Sequence, residues 1–268
     1  MTTFKKPTLL LAPLAASMLI LGGVGAVLLA RPAVAQTASP APWSELLNWV
    51  QRKTQKNTTA ARPSSSLVSF VPPAGTLPAN REGGASRGGL CPVGSKRLTA
   101  LVPKSNLGLT IAARPSFMFY VPPTQSQEMI FTLTDSRGVE IFEKSLTPSG
   151  VGVMRVDMPQ NLSGLEVGKN YAWSIVVRCN PNDPSGDLYA AGWVQRVAPS
   201  AELRSSLSRI EAGDRPYIYA SAGLWYETLS SLAELRQANP TSETLKQDWV
   251  NLLQSADLTK VAEEPLVR

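Results

Sequence analysis

The sequence contains no histidine among its 268 residues, and this absence excludes most common hydrolase chemistry. Ser-His-Asp and Cys-His nucleophile systems each need an imidazole base that titrates near neutral pH. Zinc, copper and non-haem iron sites built on histidine ligands are excluded for the same reason. Because the chain has only two cysteines, a four-thiolate metal site is impossible as well. We therefore expect no metal and no cofactor.

The scarcity of cysteine has a second consequence. The two residues are Cys91 and Cys179, and an even number in an oxidising compartment indicates a disulfide bond. The closed loop would contribute roughly 4–5 kcal/mol in the chain-entropy model. Two free buried thiols are the alternative. We predict the bond, provided that the chain is exported.

The first 35 residues have the three parts of a secretory signal peptide. Lys5 and Lys6 precede an uncharged run over 8–30, and Ala33-Val34-Ala35 follows it. The alternative is an uncleaved membrane anchor, because a run of about 23 residues is long enough to cross a bilayer. A proline and three glycines within the run favour cleavage. We predict an exported, periplasmic or extracellular protein that meets a membrane only through this segment, if the segment is kept.

The formal charge of +6 is distributed unevenly. Residues 36–114 carry ten basic and two acidic residues, whereas 115–268 carry 13 basic and 18 acidic ones. Much of the basic part is a Pro/Ser/Gly-rich stretch over 36–89, which we interpret as a mostly mobile linker with one short helix after Ser44. This arm either meets an anionic surface or is a solvated tether. Nucleic acid is not an expected partner, because no basic helix is interleaved with aromatic residues.

From Leu98 onward the pattern is that of β-strands. Short runs rich in β-branched and aromatic residues recur at intervals of roughly ten residues, between turn residues. These runs are Leu109–Ile111, Ser116–Val121, Met129–Leu133, Val139–Phe142, Val151–Val156, Tyr171–Val177 and Tyr189–Val197. The pattern predicts an α+β protein whose residues 90–198 form an immunoglobulin-like antiparallel β-sandwich.

The aromatic residues of this region are predicted to fill the core. Tyr171 follows a glycine turn at the start of a strand, as the tyrosine of a tyrosine corner does, where its hydroxyl bonds to the backbone. Trp173, Trp193 and Trp225 are also interpreted as core residues. An exposed aromatic platform for sugars is the alternative for the three tryptophans.

After Ala198 the period becomes helical. Ser200 caps a first helix, a second runs from Asp214 to just before Pro240, and Thr241 or Ser242 caps a third. The last two helices form a hairpin, and residues 199–258 are predicted as a three-helix tail. Such a hairpin cannot bury its own apolar face, so it should pack on the sandwich or on a partner.

The glycine-rich segment before Cys91 is a candidate anion-binding loop. Glycine exposes backbone N–H groups and two arginines add charge; the candidate residues are Arg81, Gly83, Gly84, Arg87 and Gly88. The segment matches neither the P-loop nor the dinucleotide fingerprint. Its G-x-S-x-G pattern around Ser86 lacks the preceding strand and the histidine of a nucleophile elbow. An irregular connection to Cys91 is the alternative.

Two sets of residues with oxygen-bearing side chains leave weaker alternatives open. The oxygen-rich loop 180–187 is interpreted as a turn rather than as a calcium site. A carboxylate pair for glycoside hydrolysis stays possible among Asp135, Glu140, Glu143, Asp157 and Glu166, because their separation cannot be derived from the sequence.

Several blocks together resemble a known family. In order, they are Arg81–Gly88 with Cys91, Leu98–Pro103, Leu109-Thr110, Arg114–Pro122, Gly168–Trp173 with Cys179, Gly192-Trp193 and Trp225–Leu229. They resemble the cyanobacterial domain-of-unknown-function family 928 over residues 72–258. The resemblance implies an exported cyanobacterial protein and supplies no activity, cofactor or catalytic residue.

The sequence as a whole indicates a non-catalytic envelope protein that acts as a protein-interaction module. Its expected partner is an unknown protein or a cell-envelope polysaccharide. The first alternative is a module that binds peptidoglycan or polysaccharide through exposed aromatic residues, and the second is a carboxylate-based hydrolase.

Overall fold

The computed structural model describes residues 68, 70–72, 76–83, 91 and 95–267. The predicted signal peptide and most of the predicted linker lie outside these residues. The strands are β1 (Thr99–Ala100), β2 (Leu107–Thr110), β3 (Ser116–Val121), β4 (Met129–Asp135), β5 (Glu140–Leu146), β6 (Gly152–Asp157), β7 (Asn170–Val177) and β8 (Leu188–Arg196). The helices are α1 (Ala201–Arg209), α2 (Arg215–Ser221), α3 (Trp225–Ala238) and α4 (Glu243–Ser255). The predicted α+β class is confirmed.

The strands form two sheets, with the order β1-β3-β6 in one and β2-β8-β7-β4-β5 in the other. The sheets meet through aromatic contacts: the ring of Phe117 on β3 lies 5.1 Å from that of Phe131 and 5.4 Å from that of Trp173. All pairs within the sheets are antiparallel except β2 with β8, which is parallel. The prediction of a wholly antiparallel sandwich is therefore wrong at this pair, because a period of two marks the buried side of a strand and not its direction. The immunoglobulin-like topology stays a prediction.

Strand β7 has the alternation that the sequence predicts. Its inward residues Tyr171, Trp173, Ile175 and Val177 are buried, and the residues between them are half-buried. The hydroxyl of Tyr171 accepts a hydrogen bond from the backbone N–H of Glu166 at 3.0 Å. This bond across the turn is the contact expected of a tyrosine corner.

The helical region contains four helices rather than the predicted three. Ser200 and Ser242 cap α1 and α4, each accepting a hydrogen bond from the backbone N–H three residues later. The second predicted helix is divided into α2 and α3, because Gly223 has φ +69° and this left-handed conformation ends a helix. The close approach of the Val71 carbonyl at this position favours glycine there.

Helices α2, α3 and α4 share one apolar core with both sheets, whereas α1 packs in a smaller cluster through Leu203, Ile218 and Leu224. Trp225 at the start of α3 and Trp249 on α4 are completely buried. The ring of Tyr226 lies 5.5 Å from that of Phe117 on β3. The expectation that the helices pack on the sheets is borne out for α3 by these contacts.

Part of the predicted linker belongs to the folded body. Phe70 packs edge-on against Trp225 at 4.8 Å between ring centroids. Farther along, the backbone N–H of Gly83 donates to the carbonyl of Leu98, and that of Ala191 on β8 donates to the carbonyl of Asn80. The predicted linker therefore contacts the folded part of the chain at these residues, through Trp225, β8 and the residue before β1.

The C-terminal residues extend beyond the predicted helical region and join the smaller sheet. The backbone N–H of Val153 on β6 donates to the carbonyl of Pro265 at 2.7 Å, and its carbonyl accepts from Val267 at 2.9 Å. Among the helices that the structure describes, none is both long and apolar enough to traverse a bilayer.

Candidate functional site

The predicted disulfide bond between Cys91 and Cys179 is present, with 5.1 Å between the Cα atoms. Cys91 is buried, and the backbone N–H of Cys179 donates to the carboxylate of Asp187 at 2.9 Å. The bond thus ties the end of the N-terminal segment to the loop between β7 and β8.

That loop uses its oxygen atoms to form turns. The side chain of Asn180 accepts from the backbone N–H of Asn182, and that of Asp183 accepts from the backbone N–H of Ser185. Within the described residues, no group of three or more His, Cys, Asp or Glu side chains could hold a metal ion. The loop therefore has the geometry of the turn that the sequence indicates.

The candidate anion-binding loop is described only in part. The guanidinium of Arg81 donates to the carbonyls of Ala256 and Asp257 at 2.8 and 3.1 Å and lies 3.6 Å from the Asp257 carboxylate. It therefore binds the end of α4, and the N–H of Gly83 is engaged by Leu98. The remaining residues, Gly84, Arg87 and Gly88, lie outside the described part of the chain, so anion binding stays a prediction.

The start of α3 places three consecutive polar side chains against the sheets. The indole N–H of Trp225 donates to the carbonyl of Leu101 at 2.8 Å. The hydroxyl of Tyr226 accepts from the indole N–H of Trp173 at 2.7 Å and donates to the carbonyl of Trp193 at 2.9 Å. Sequence reasoning placed the two tryptophans in the core but missed these bonds, because a helical period shows burial and not hydrogen-bond partners.

Glu227 is the third of these polar side chains at the start of α3. Its Oε1 accepts hydrogen bonds from the hydroxyl of Thr110 at 2.6 Å and from the backbone N–H groups of Ile111 and Ala112, both at 2.9 Å. Its Oε2 is buried without a hydrogen-bond partner in the described structure. Burial raises the pKa of Glu227 above its ordinary value, although the three hydrogen bonds act in the opposite direction. The carboxyl group fastens α3 to the turn after β2.

The carboxylates proposed for hydrolysis are used locally. Hydrogen bonds from the Val139 backbone and the Arg137 side chain lower the pKa of Asp135. Partial burial acts upward on Asp157, but hydrogen bonds from Ser116 and Arg155 outweigh it and lower that pKa. A general acid needs a raised pKa, so neither carboxylate has the required electrostatics.

The outward side of the five-stranded sheet is mostly half-buried over its central strands, where Tyr189 is the exposed large side chain among the described residues. The inward residues of this sheet, such as Phe131, Trp173 and Ala190, are almost completely buried, so the alternate residues point outward. On the three central strands the outward rows are Ile130, Val176 and Tyr189; Thr132, Ser174 and Ala191; and Thr134, Ala172 and Trp193. None of these side chains is charged. We call these three rows the open face.

Two aromatic residues lie on the open face along β8. Tyr189 is 44% exposed, whereas Trp193 is half-buried and its indole N–H donates to the carbonyl of Pro78 at 2.9 Å. Trp193 therefore lies half-buried on the outward side of the sheet and not in the predicted core. Consecutive residues of a strand point to opposite sides, and the next residue, Val194, points into the core. Ala191 separates the two aromatic residues, which lie about 13 Å apart along an extended strand.

The centre and one edge of the open face are polar. Thr132 lies directly opposite Ser174, and neither hydroxyl bonds to another described residue. Glu140 and Glu143 on the edge strand β5 are exposed. The face therefore offers aromatic surface and hydroxyl groups with an acidic border, which suits binding better than acid–base chemistry.

The fold is that of a disulfide-bonded α+β domain, and the open face is the outward side of the central strands of its larger sheet. The chain belongs to the family described as Domain of Unknown Function (DUF928), whose model matches residues 82–266. This match confirms the family that the sequence blocks indicate. No curated protein matches the chain significantly.

Proposed function

We propose that this protein is an exported, non-catalytic binding module of the cell envelope and that the open face is its binding surface. The observation that carries the proposal is that some polar groups are bonded inside the fold, whereas others on the open face are not. Tyr226 and Glu227 form hydrogen bonds that hold α3 on the sheets. On the open face, Tyr189 is exposed, and the hydroxyls of Thr132 and Ser174 bond to no other described residue.

Export is supported by the disulfide bond, because such bonds persist in oxidising compartments. The signal-peptide pattern over residues 1–35 and the resemblance to a cyanobacterial family point in the same direction. The proposal includes an immunoglobulin-like topology, which is supported by two facing sheets and by the bond between Tyr171 and the Glu166 backbone. Sandwich domains of this type commonly act through their surfaces.

The absence of catalysis is proposed on chemical grounds. The chain has no histidine, and the pKa values of Asp135 and Asp157 are lowered. Glu227 has a raised pKa, but its carboxyl group is enclosed between α3 and the end of β2. A screen on a broad panel of chromogenic glycosides and peptides tests this point, and we expect no hydrolysis rate above that of buffer.

Binding is tested by co-sedimentation of the purified disulfide-bonded protein with envelope fractions from its own cells. We expect the wild type to sediment and Ser174→Arg to stay in the supernatant, because a long charged side chain would block the open face. Ser205→Arg is the matched control, since Ser205 is exposed on α1 and is not one of the open-face residues. If Ser174→Arg sediments as the wild type does, the open face is not the binding surface.

Export is tested separately in the cells that produce the protein. We expect a mature N-terminus near Gln36 and no thiol that reacts in denaturant until a reductant is added. An N-terminus at Met1 or Thr2 would contradict cleavage, and two reactive thiols in the fresh protein would contradict an oxidising location.

A further inference from the structure

We propose that the open face binds an uncharged polysaccharide strand, with Tyr189 and Trp193 stacking against sugar rings. This inference rests on the proposed function and adds the chemical class of the ligand to it. It is supported by the aromatic residues, the hydroxyl groups and the charges of the same surface.

The aromatic residues supply apolar surface in the form that a sugar ring uses. A pyranose ring has faces made of C–H groups, which pack against the electron-rich face of an aromatic side chain. Tyr189 is 44% exposed, and the hydrogen bond from Trp193 to Pro78 holds the indole in one orientation. A fixed ring loses little conformational freedom when a ligand binds.

The spacing of the two rings indicates a chain rather than a single sugar. Trp193 lies four positions after Tyr189 on an extended strand, a distance of about 13 Å, which exceeds the length of one sugar ring. Ala191 lies between them and has the smallest side chain that still carries a Cβ. The strand therefore presents two stacking positions with a shallow depression between them, as a linear oligosaccharide requires.

The hydroxyl groups beside this strand provide hydrogen bonds. Ser174 lies next to Ala191 in the register, and Thr132 lies next to Ser174. Each hydroxyl can both donate and accept, which matches the hydroxyl groups at the edge of a sugar ring. Since neither hydroxyl bonds to another described residue, a ligand need not displace an internal contact.

The charges around the face select against anionic chains. The open face itself has no charged side chain, and its β5 border carries Glu140 and Glu143. Arg178, at one end of β7, lies 3.5 Å from the carboxylate of Asp187. A nucleic acid or a polyuronate would therefore meet two carboxylates at this border, since Lys144 on the same strand lies opposite the inward residue Phe131, and this is unfavourable.

Calorimetry with three defined hexasaccharides tests the proposal. The probes are β-1,4-linked N-acetylglucosamine, β-1,4-linked glucose and α-1,4-linked galacturonate. We expect saturable binding of at least one neutral probe and none of galacturonate. The N-acetylglucosamine probe represents the glycan strand of peptidoglycan and the glucose probe represents a secreted polysaccharide, so the preferred probe identifies the source.

Variants then locate the binding. Tyr189→Ala should raise the Kd about 10- to 100-fold, the range expected for a lost buried aromatic contact. Tyr189→Phe keeps the ring and should bind as the wild type does. Val151→Ala removes a side chain that is 40% exposed beside β6 of the other sheet, and should also leave the Kd unchanged. Unchanged circular dichroism and melting temperature establish that each variant is folded.

The outcomes separate this inference from the proposed function. If envelope fractions bind the wild type and not Ser174→Arg, but neither neutral probe binds, the polysaccharide inference is overturned and a protein partner is indicated. If a neutral probe binds equally well to the wild type and Tyr189→Ala, the assigned site is wrong. Binding of galacturonate as strong as that of the neutral probes would overturn the charge argument.

Discussion

The hydroxyl of Tyr226 has a hydrogen-bond partner on each of two neighbouring strands at the junction of α3 and the sheets. It accepts from the indole of Trp173 and donates to the carbonyl of Trp193, and the Tyr226 side chain is 1% exposed. Burial raises the pKa of Tyr226 well above its usual range, so the hydroxyl keeps its proton and its role as donor. A buried donor that loses its partner costs more than the bond contributes.

We therefore expect Tyr226→Phe to lower the free energy of unfolding by about 1–3 kcal/mol. The substitution removes one oxygen and leaves the indole N–H of Trp173 unpaired in the core. Urea denaturation of both proteins measures the difference. Tyr189→Phe is the matched control, because it removes an exposed hydroxyl and should change stability by less than about 0.5 kcal/mol. Equal stability of wild type and Tyr226→Phe would contradict the anchoring role.

Glu227 gives the junction a dependence on pH. Its folded-state pKa lies above the ordinary value of 4.5 because of burial, so between these two values the folded state binds more protons than the unfolded state. The contribution of this group is complete below about pH 4.5 and is lost as the pH rises through the folded-state pKa.

Glu227→Gln should remove this dependence, since the amide keeps an acceptor for Thr110, Ile111 and Ala112 without an ionisable proton. We expect the stability of the wild type, relative to that of Glu227→Gln, to fall as the pH rises from about 4.5 to 8. Urea denaturation at several pH values measures the difference. The exposed Glu263→Gln serves as control and should follow the wild type. A relative stability that rises with pH would show that the sign assigned to Glu227 is wrong.

At the scale of elements, the strands and helix caps could be predicted because their signals are local. Period-two alternation along β7 and the serines before α1 and α4 are legible in the sequence without knowledge of the fold. The parallel pairing of β2 with β8 could not be predicted, because strand order depends on long-range contacts. The packing of residues 76–83 was hidden by a linker-like composition.

The candidate site was predictable only in part. The residues of the open face lie in predicted strands, and the sugar platform was an alternative for the tryptophans. However, β8 has small or apolar residues on both faces, including Ala190, Ala191 and Gly192, so alternation did not reveal that Trp193 points outward. Its register with Ala172 and Thr134 was needed to place it.

The break between α2 and α3 depends on Gly223 in two ways. Its φ of +69° disfavours any side chain, and an added Cβ would lie 2.8 Å from the carbonyl oxygen of Val71. We expect Gly223→Ala to destabilise the protein by more than the roughly 1–2 kcal/mol of left-handed strain alone. Gly138→Ala isolates that strain, because Gly138 has φ +82° and no atom near the added Cβ. Thermal unfolding that ranks Gly138→Ala as the more damaging change would contradict the crowding at Val71.

At the scale of the whole molecule, one apolar core joins the sheets to α2, α3 and α4. We therefore expect strands and helices to unfold in a single transition. Circular dichroism in the far ultraviolet follows the backbone of both, and fluorescence follows the six tryptophans of the chain, among them Trp173 on β7 and Trp249 on α4. The two urea curves should coincide. A separate early transition of the helices would indicate the two-part organisation that the sequence suggests.

The disulfide bond affects the folding equilibrium of the whole molecule, because it restricts the conformations of the unfolded chain. It joins residues 88 positions apart, so the chain-entropy model assigns it roughly 4–5 kcal/mol of stability. Replacing both cysteines, as Cys91→Ala with Cys179→Ala, should lower the free energy of unfolding by an amount of this order, as measured with urea without reductant. The wild type in reductant is the control and should lose a similar amount, since it lacks the same constraint. If the double variant is as stable as the oxidised wild type, the bond does not restrict the unfolded chain, and the other contacts of the N-terminal segment, such as its backbone pairing with β8 and Leu98, are enough to hold it.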